Sequence, residues 1–177
     1  MGISGKRDTI SSQNEVGKMI YVGIDPGLSG AVAVIYPDGT VDLLDTPVMA
    51  TSKKSGKSKN DYLPYEMSAL LKDIPRPCKV FIEKVHAMPG QGSTSMFRFG
   101  YGCGLWEGII AALGLSLTKI TPQAWKKELM QGMKDKDAAR IRAQELFPDC
   151  VGELSRKKDC GRADALLIAE YGRRITS

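Results

Sequence analysis

The chain contains no CxxC and no CxxH pair. Its four cysteines, Cys78, Cys103, Cys150 and Cys160, stand apart, which argues against structural zinc and for reduced thiols. Long hydrophobic runs are also missing. The apolar stretches end well short of the roughly 18 residues that cross a bilayer. Residues 1–18 (MGISGKRDTISSQNEVGK) lack the apolar centre of a signal peptide and read as a flexible arm, with Met19 as an alternative start. There are no internal repeats, and histidine occurs once, at His86. From these absences we expect a cytosolic protein.

What remains is ordinary globular material. The 177 residues are 42% hydrophobic and 25% charged, enough for one domain, taken as 19–177. Such a chain buries roughly 70% of its unfolded surface. Lys and Arg number 25 against 20 Asp and Glu, a net charge of +5. That leans slightly toward polyanionic partners.

The pattern of elements predicts a mixed α/β sheet. MIYVGID (19–25) and GAVAVIY (30–36) read as strands, and PDGT (37–40) as a hairpin turn leading into a third, VDLLDT (41–46). These three form an antiparallel meander. Residues 49–60 (MATSKKSGKSKN) read as a basic Ser/Gly-rich loop, with Asp61 capping a helix to about Leu71. A fourth strand covers CKVFIEK (78–84), a helix runs over 95–112, and LSLTKIT (115–121) is a fifth strand. Thr121 caps the next helix, with Pro122 in its first turn. Further helices are expected over 135–146 and 161–173.

Gly100, Gly104 and Gly108 lie on one stripe of the 95–112 helix. Each costs about 1 kcal/mol relative to alanine in a helix interior. Another backbone should therefore come close, either the chain's own sheet or the same helix of a second copy.

Four acids carry the chemical argument. The first strand delivers Asp25 at its end, just before Pro26-Gly27, and the fourth ends on Glu83. The last helix begins with KKDCGRADALLIAE, which holds Asp159 and Asp164. An acid near a helix N-terminus is favoured by the macrodipole alone. The joint pattern asks for more. If the first and fourth strands are parallel neighbours, both acids meet at one sheet edge, and a buried helix over that edge adds one or two more. Such carboxylates repel and do not all stay ionised by themselves. A hard divalent cation such as Mg²⁺ resolves the conflict through oxygen ligands, and two such ions can flank a scissile phosphate.

At this point the ordered set YVGIDPGLSGAVAV, FIEKVHA, GYGCGLWEGIIAA, TPQAWKKEL and RKKDCGRADALLIAEYG resembles the RuvC-type Holliday junction resolvases of the ribonuclease H-like superfamily. The phage and chloroplast branch is the most similar, and the match spans about Met19 to Arg174. It implies the cytoplasm of a bacterial or phage-infected cell, with an organelle as the alternative. The resemblance implies a homodimeric endonuclease, dependent on Mg²⁺ or Mn²⁺ with two ions per site, that nicks two symmetric strands of a four-way DNA junction. Asp25, Glu83 and Asp164 match the family's first-strand Asp, fourth-strand Glu and last-helix acid. The usual bacterial position of the fourth ligand falls on Gly161, so Asp159 is expected to substitute. His86 stands where bacterial members carry an aromatic residue used against bases near the cut.

DNA contacts are expected from Lys53, Lys54, Lys57 and Lys59 in the basic loop, from Arg156, Lys157 and Lys158 before the acidic cluster, and from His86 and Arg98. Lysine runs in loops are otherwise simply solvated. Phe97, Phe99 and Tyr101 suit either a wedge against bases or the core, while Trp106 and Trp125 are assigned to packing. Dimerisation is expected through the 95–112 helix. Rival readings are a sugar-kinase or actin-like ATPase, which needs two such lobes, a non-catalytic junction-binding module, and a nuclease of RNA–DNA hybrids.

Overall fold

The computed structural model describes residues 19–52, 58–84, 92–133, 135 and 137–177. Its main sheet has five strands: β1 (Ile20–Asp25), β2 (Ala31–Ile35), β3 (Val41–Asp45), β6 (Cys78–Glu83) and β7 (Ser116–Ile120). They lie in the order β3-β2-β1-β6-β7. The first three form the expected antiparallel meander, and β6 and β7 extend the sheet in parallel from β1. This is the mixed sheet anticipated for a ribonuclease H-like fold.

Helices cover both faces. α5 (Cys160–Thr176), α3 (Pro122–Met130) and α4 (Ala138–Leu146) close one side, and α1 (Pro64–Asp73) and α2 (Ser93–Ala112) close the other. Alternation along β1 sorts its side chains between the two cores. Tyr21 joins Phe81, Leu166 and Leu167 under α5, whereas Val22 and Ile24 join Met67, Trp106 and Ile110. With both faces covered, β1 and β2 read as nearly continuous apolar runs.

α5 sits unusually close to β1. A Cβ at Gly23 would strike the Ala165 carbonyl and the backbone of Ala169. The glycine and the two alanines let the helix axis descend onto the strand. That descent brings the start of α5 to the carboxyl end of β1.

Several expectations are corrected. The basic stretch 49–60 is not a plain loop. β4 (Val48–Ser52) and β5 (Ser58–Tyr62) pair there as an antiparallel hairpin. Lysine, serine and asparagine in these strands give no apolar alternation, so the backbone pairing has no sequence signal. Asp61 belongs to β5 and does not cap α1. That helix starts at Pro64, whose missing N–H is harmless there, with Leu63 at the cap position and no side-chain cap bond. α4 begins later than expected, at Ala138, and α5 runs on to Thr176. Short 3₁₀ turns at Pro148–Leu154 and Lys157–Asp159 join α4 to α5. The stripe of Gly100, Gly104 and Gly108 does not pack on the chain's own sheet. All three are exposed, with nothing within 4 Å of an added Cβ.

Candidate active site

Strand register places the first two acids. Ile24 pairs with Ile82 in the parallel β1–β6 ladder. Asp25 and Glu83 are the next residues on each strand, so they end side by side on the same face. That face is the one α5 covers, and Asp164 lies in the first turns of α5. The three carboxylates are close enough for each to act electrically on its neighbours.

The cost of this convergence is visible in protonation. Burial, then the charge of Glu83, pushes Asp25 up to about 6 from an ordinary 3.8, although the Gly27 N–H and Lys126 pull it down. Burial, then Asp25, pushes Asp164 up to about 7, with Lys126 opposing and Glu83 adding. Raised carboxyl values caused by burial beside like charges mark a place built for something other than stability. The Gly27 N–H reaches Asp25 Oδ1 at 3.4 Å, so the turn after β1 offsets part of the cost of burial without cancelling it.

Behind Asp25, the hydroxyl of Tyr62 at the end of β5 donates to the Pro26 carbonyl at 3.2 Å. This bond ties the β4–β5 hairpin to the turn that follows β1. Cys103 of α2 is buried nearby, and its thiol is pushed up to about 11 by burial, Glu107 and Asp25.

Two residues with no assigned role at the sequence level stand at the site. Trp125 is fully buried, as expected of a packing residue, yet its Nε1 donates to Glu83 Oε1 at 3.0 Å. Lys126 lies with its Nζ 5.0 Å from the Trp125 ring centroid and is the cation acting on both Asp25 and Asp164. The signal was available in TPQAWKK. A capped helix leaving β7 beside Glu83 returns its fourth and fifth residues to that strand end.

Asp159 is placed differently from the other three acids. Its carboxylate accepts from the backbone N–H of Arg156 at 2.8 Å, from Nη2 at 2.9 Å and from Nε at 3.2 Å. Arg156, and after it Arg162, holds Asp159 below the usual carboxylate range. The expected fourth acid therefore serves as a cap of the 3₁₀ turn, and the guanidinium of Arg156 is occupied by it. Gly161 has its own cause: a Cβ there would strike the Ser29 carbonyl.

The expected DNA-binding residues divide as follows. Lys53, Lys54, Lys57 and His86 lie outside the described residues. Lys59 is 3.7 Å from Asp61, and Arg98 reaches Asp61 at 2.9 Å and the Asn60 carbonyl at 2.8 Å. Arg98 thus braces the hairpin against α2. Lys157 and Lys158 are exposed on the 3₁₀ turn before α5. Phe97 and Tyr101 are not core residues, being 76% and 51% exposed.

Among the described residues, no three acidic, histidine or cysteine side chains close on a single point as a finished metal cage would. The donor set itself fits a hard divalent cation. It is all carboxylate oxygen, and the raised values of Asp25 and Asp164 are those of anions short of compensation. Nor is any helix among the described residues long and apolar enough to cross a membrane.

No family model matches the chain. The chloroplastic Holliday junction resolvase MOC1 of Chlamydomonas reinhardtii is 35% identical over 92 residues, which cover 51% of this chain and 10% of that protein. The matched segment is thus about a tenth of the relative's length. A Thermus thermophilus RuvC structure in complex with Holliday junction substrate superposes with a TM-score of 0.59 at 16% identity, covering 89% of this chain and 96% of that one. A second RuvC structure from the same organism gives a TM-score of 0.53 at 19% identity, covering 89% and 98%. With its strand order, its helix α5 laid on β1 and its acids at the carboxyl end of the parallel pair, the chain has the RuvC-type, ribonuclease H-like fold.

Proposed function

We propose that this protein is a structure-selective endonuclease that resolves four-way DNA junctions by metal-assisted hydrolysis of phosphodiesters. One observation carries the reading: Asp25, Glu83 and Asp164 converge from three distant parts of the chain at one sheet edge, two of them with raised values. The Thermus RuvC of the same fold was solved with a Holliday junction, and the chloroplast relative bears that activity in its name.

Asp25, Glu83 and Asp164 are the residues that would hold Mg²⁺ or Mn²⁺. The bound ion would polarise the phosphate and lower the pKa of an attacking water. The chain's own groups then have separable tasks. Lys126 offsets the negative charge of the three acids and is placed to attract a phosphate. The exposed Lys157 and Lys158, on the turn before α5, contact the DNA backbone. These contacts carry no sequence information and make binding steeply salt-dependent. Asp159 stays with Arg156 and supports the turn.

Paired nicks need two active sites. The exposed stripe of α2 offers a dimer face, with Phe97, Tyr101, Gly104 and Gly108 at helical spacing; Tyr101 meets the Tyr62 ring edge-on at 6.0 Å, and the two glycines have nothing within 4 Å of an added Cβ among the described residues. Glycines there let two helices approach closely. The chain would act in the cytoplasm or an organelle, wherever junction DNA is met.

The test is a substrate panel with Mg²⁺: a synthetic four-way junction, a linear duplex and an RNA–DNA hybrid. Symmetric nicking of the junction is expected, with loss of cleavage but retained binding in Asp25→Asn. A wild-type protein that leaves the junction intact, or an Asp25→Asn protein that still cuts it, overturns the reading.

A further inference from the structure

Trp125 is fully buried, and its ring packs in the core formed under α5. Its indole nitrogen is its only polar atom, a donor that cannot accept. Burial alone does not supply a partner in this fold. Trp106 is equally buried, and its Nε1 has no hydrogen-bond partner among the described residues. Trp125 instead donates to Glu83 Oε1 at 3.0 Å. The contrast marks the second bond as a product of where α3 starts.

That start is closely determined. Glu83 pairs with Ile120 at the end of β7, and the Lys84 N–H reaches the Ile120 carbonyl at 2.6 Å. Thr121 follows at once and accepts from the Ala124 N–H at 3.3 Å, with Pro122 in the first turn. One turn later the chain has come back over Glu83, and position 125 meets it. Helix cap, strand end and indole form one short rigid path.

We infer that Trp125 is a positioning residue for Glu83. It fixes one carboxylate oxygen and leaves the other for a divalent ion. An indole N–H keeps its proton, so the bond persists whatever the neighbouring acids do. Lys126 over the ring face strengthens the arrangement, since a cation there is attracted by the indole. Partners of this kind, one bond removed from a ligand, affect metal affinity or activity by roughly 10–100-fold. This inference rests on the nuclease reading of the site.

The test replaces the N–H and leaves the ring. Position 125 is substituted with 3-benzothienylalanine, in which sulfur stands for the indole nitrogen, and separately as Trp125→Phe. Mn²⁺ binding without DNA is followed by calorimetry, and junction cleavage against Mg²⁺ concentration. Both variants should bind Mn²⁺ about tenfold more weakly and need about tenfold more Mg²⁺ for half-maximal cleavage. Junction binding without divalent ion, and the unfolding midpoint of the isostere in chelator, should match wild type. An isostere with wild-type Mn²⁺ and Mg²⁺ dependence overturns the inference. So does an isostere whose unfolding midpoint falls with its activity, because packing would then explain the loss, and so does a wild type that takes up no Mn²⁺. A wild type that binds Mn²⁺ but does not cut the junction overturns the nuclease reading instead, while the Mn²⁺ comparison still judges Trp125.

Discussion

Arg162 in the first turn of α5 grips Asp45 at the end of β3 with two parallel hydrogen bonds, at 2.6 Å from Nε and 2.8 Å from Nη2. Asp45 pairs with Ala31, which in turn pairs with Asp25. The grip therefore holds the start of α5 across the same strand ends that carry Asp25. It also holds Asp45 below the usual carboxylate range.

Arg162→Ala should accordingly cost modest stability and more activity. Asp45 is 69% exposed at its side chain, so the pair contributes only about 0.5–1 kcal/mol. Because Asp45 is depressed, this contribution is present above its ordinary value and is lost as pH falls. Urea unfolding at pH 7 and junction cleavage are the measurements. Equal stability with a tenfold loss of cleavage is consistent with a role in placing Asp164. No change in either would show the pair to be idle.

The raised acids set a pH slope of the opposite sign. Asp25 and Asp164 stand at about 6 and about 7 against an ordinary 3.8. Their contribution favours the native state below the ordinary value and is lost as pH rises through the two folded values. Each unit is worth about 1.4 kcal/mol. Metal-free Asp25→Asn/Asp164→Asn protein should therefore be more stable than wild type at pH 8, by a few kcal/mol, and no more stable at pH 4. Paired denaturation curves in chelator decide it. A gap that does not grow with pH removes the electrostatic account of the site.

Divalent ions should close that gap. At pH 8, Mg²⁺ at ten times its dissociation constant adds about 1.4 kcal/mol to wild type. In a domain of this size that is a rise of about 3–5 °C in the unfolding midpoint. The double variant should show no such rise. A similar rise in both proteins would place the ion elsewhere.

Lys126→Met removes the cation that lowers Asp25 and Asp164. Both acids should then titrate higher. The acid limb of the cleavage profile should move to higher pH, with kcat reduced and the unfolding midpoint nearly unchanged. A reduced rate with an unmoved limb would assign Lys126 to DNA contact alone.

Gly161→Ala tests the descent of α5. The new methyl would meet the Ser29 carbonyl and stand 2.9 Å from the Gly30 Cα. Backbone cannot rotate away, so overpacking should cost about 1–3 kcal/mol. Cleavage should fall further, because the turn after Asp25 must move. A neutral substitution would mean that the contact is loose.

How much of this was legible in the chain can be judged residue by residue. Asp25 and Glu83 were readable because strand-ending acids behind apolar runs break the local pattern, and Asp164 because it stands between small residues at the start of a largely apolar helix. The mixed sheet of three antiparallel and two parallel strands followed from a hairpin turn and from alternating strands and helices. Gly161 announced itself only as an absence of a ligand, and its cause lay in Ser29, distant in sequence. The β4–β5 hairpin was hidden, since its pairing is made by backbone and its side chains are polar. Asp159 looked like a ligand because spacing cannot show that Arg156, three residues before it, would claim its oxygens.

By itself, then, the sequence determined the element types, the sheet and which acids end its strands. These follow from local propensity and periodicity, which neighbouring residues decide among themselves. The tertiary structure alone decided that Trp125 meets Glu83, that Lys126 acts on two acids and that Asp159 bonds to Arg156. Those outcomes depend on how closely α5 and α3 settle on the sheet, a distance set by close packing of small residues across the fold and not by any one segment.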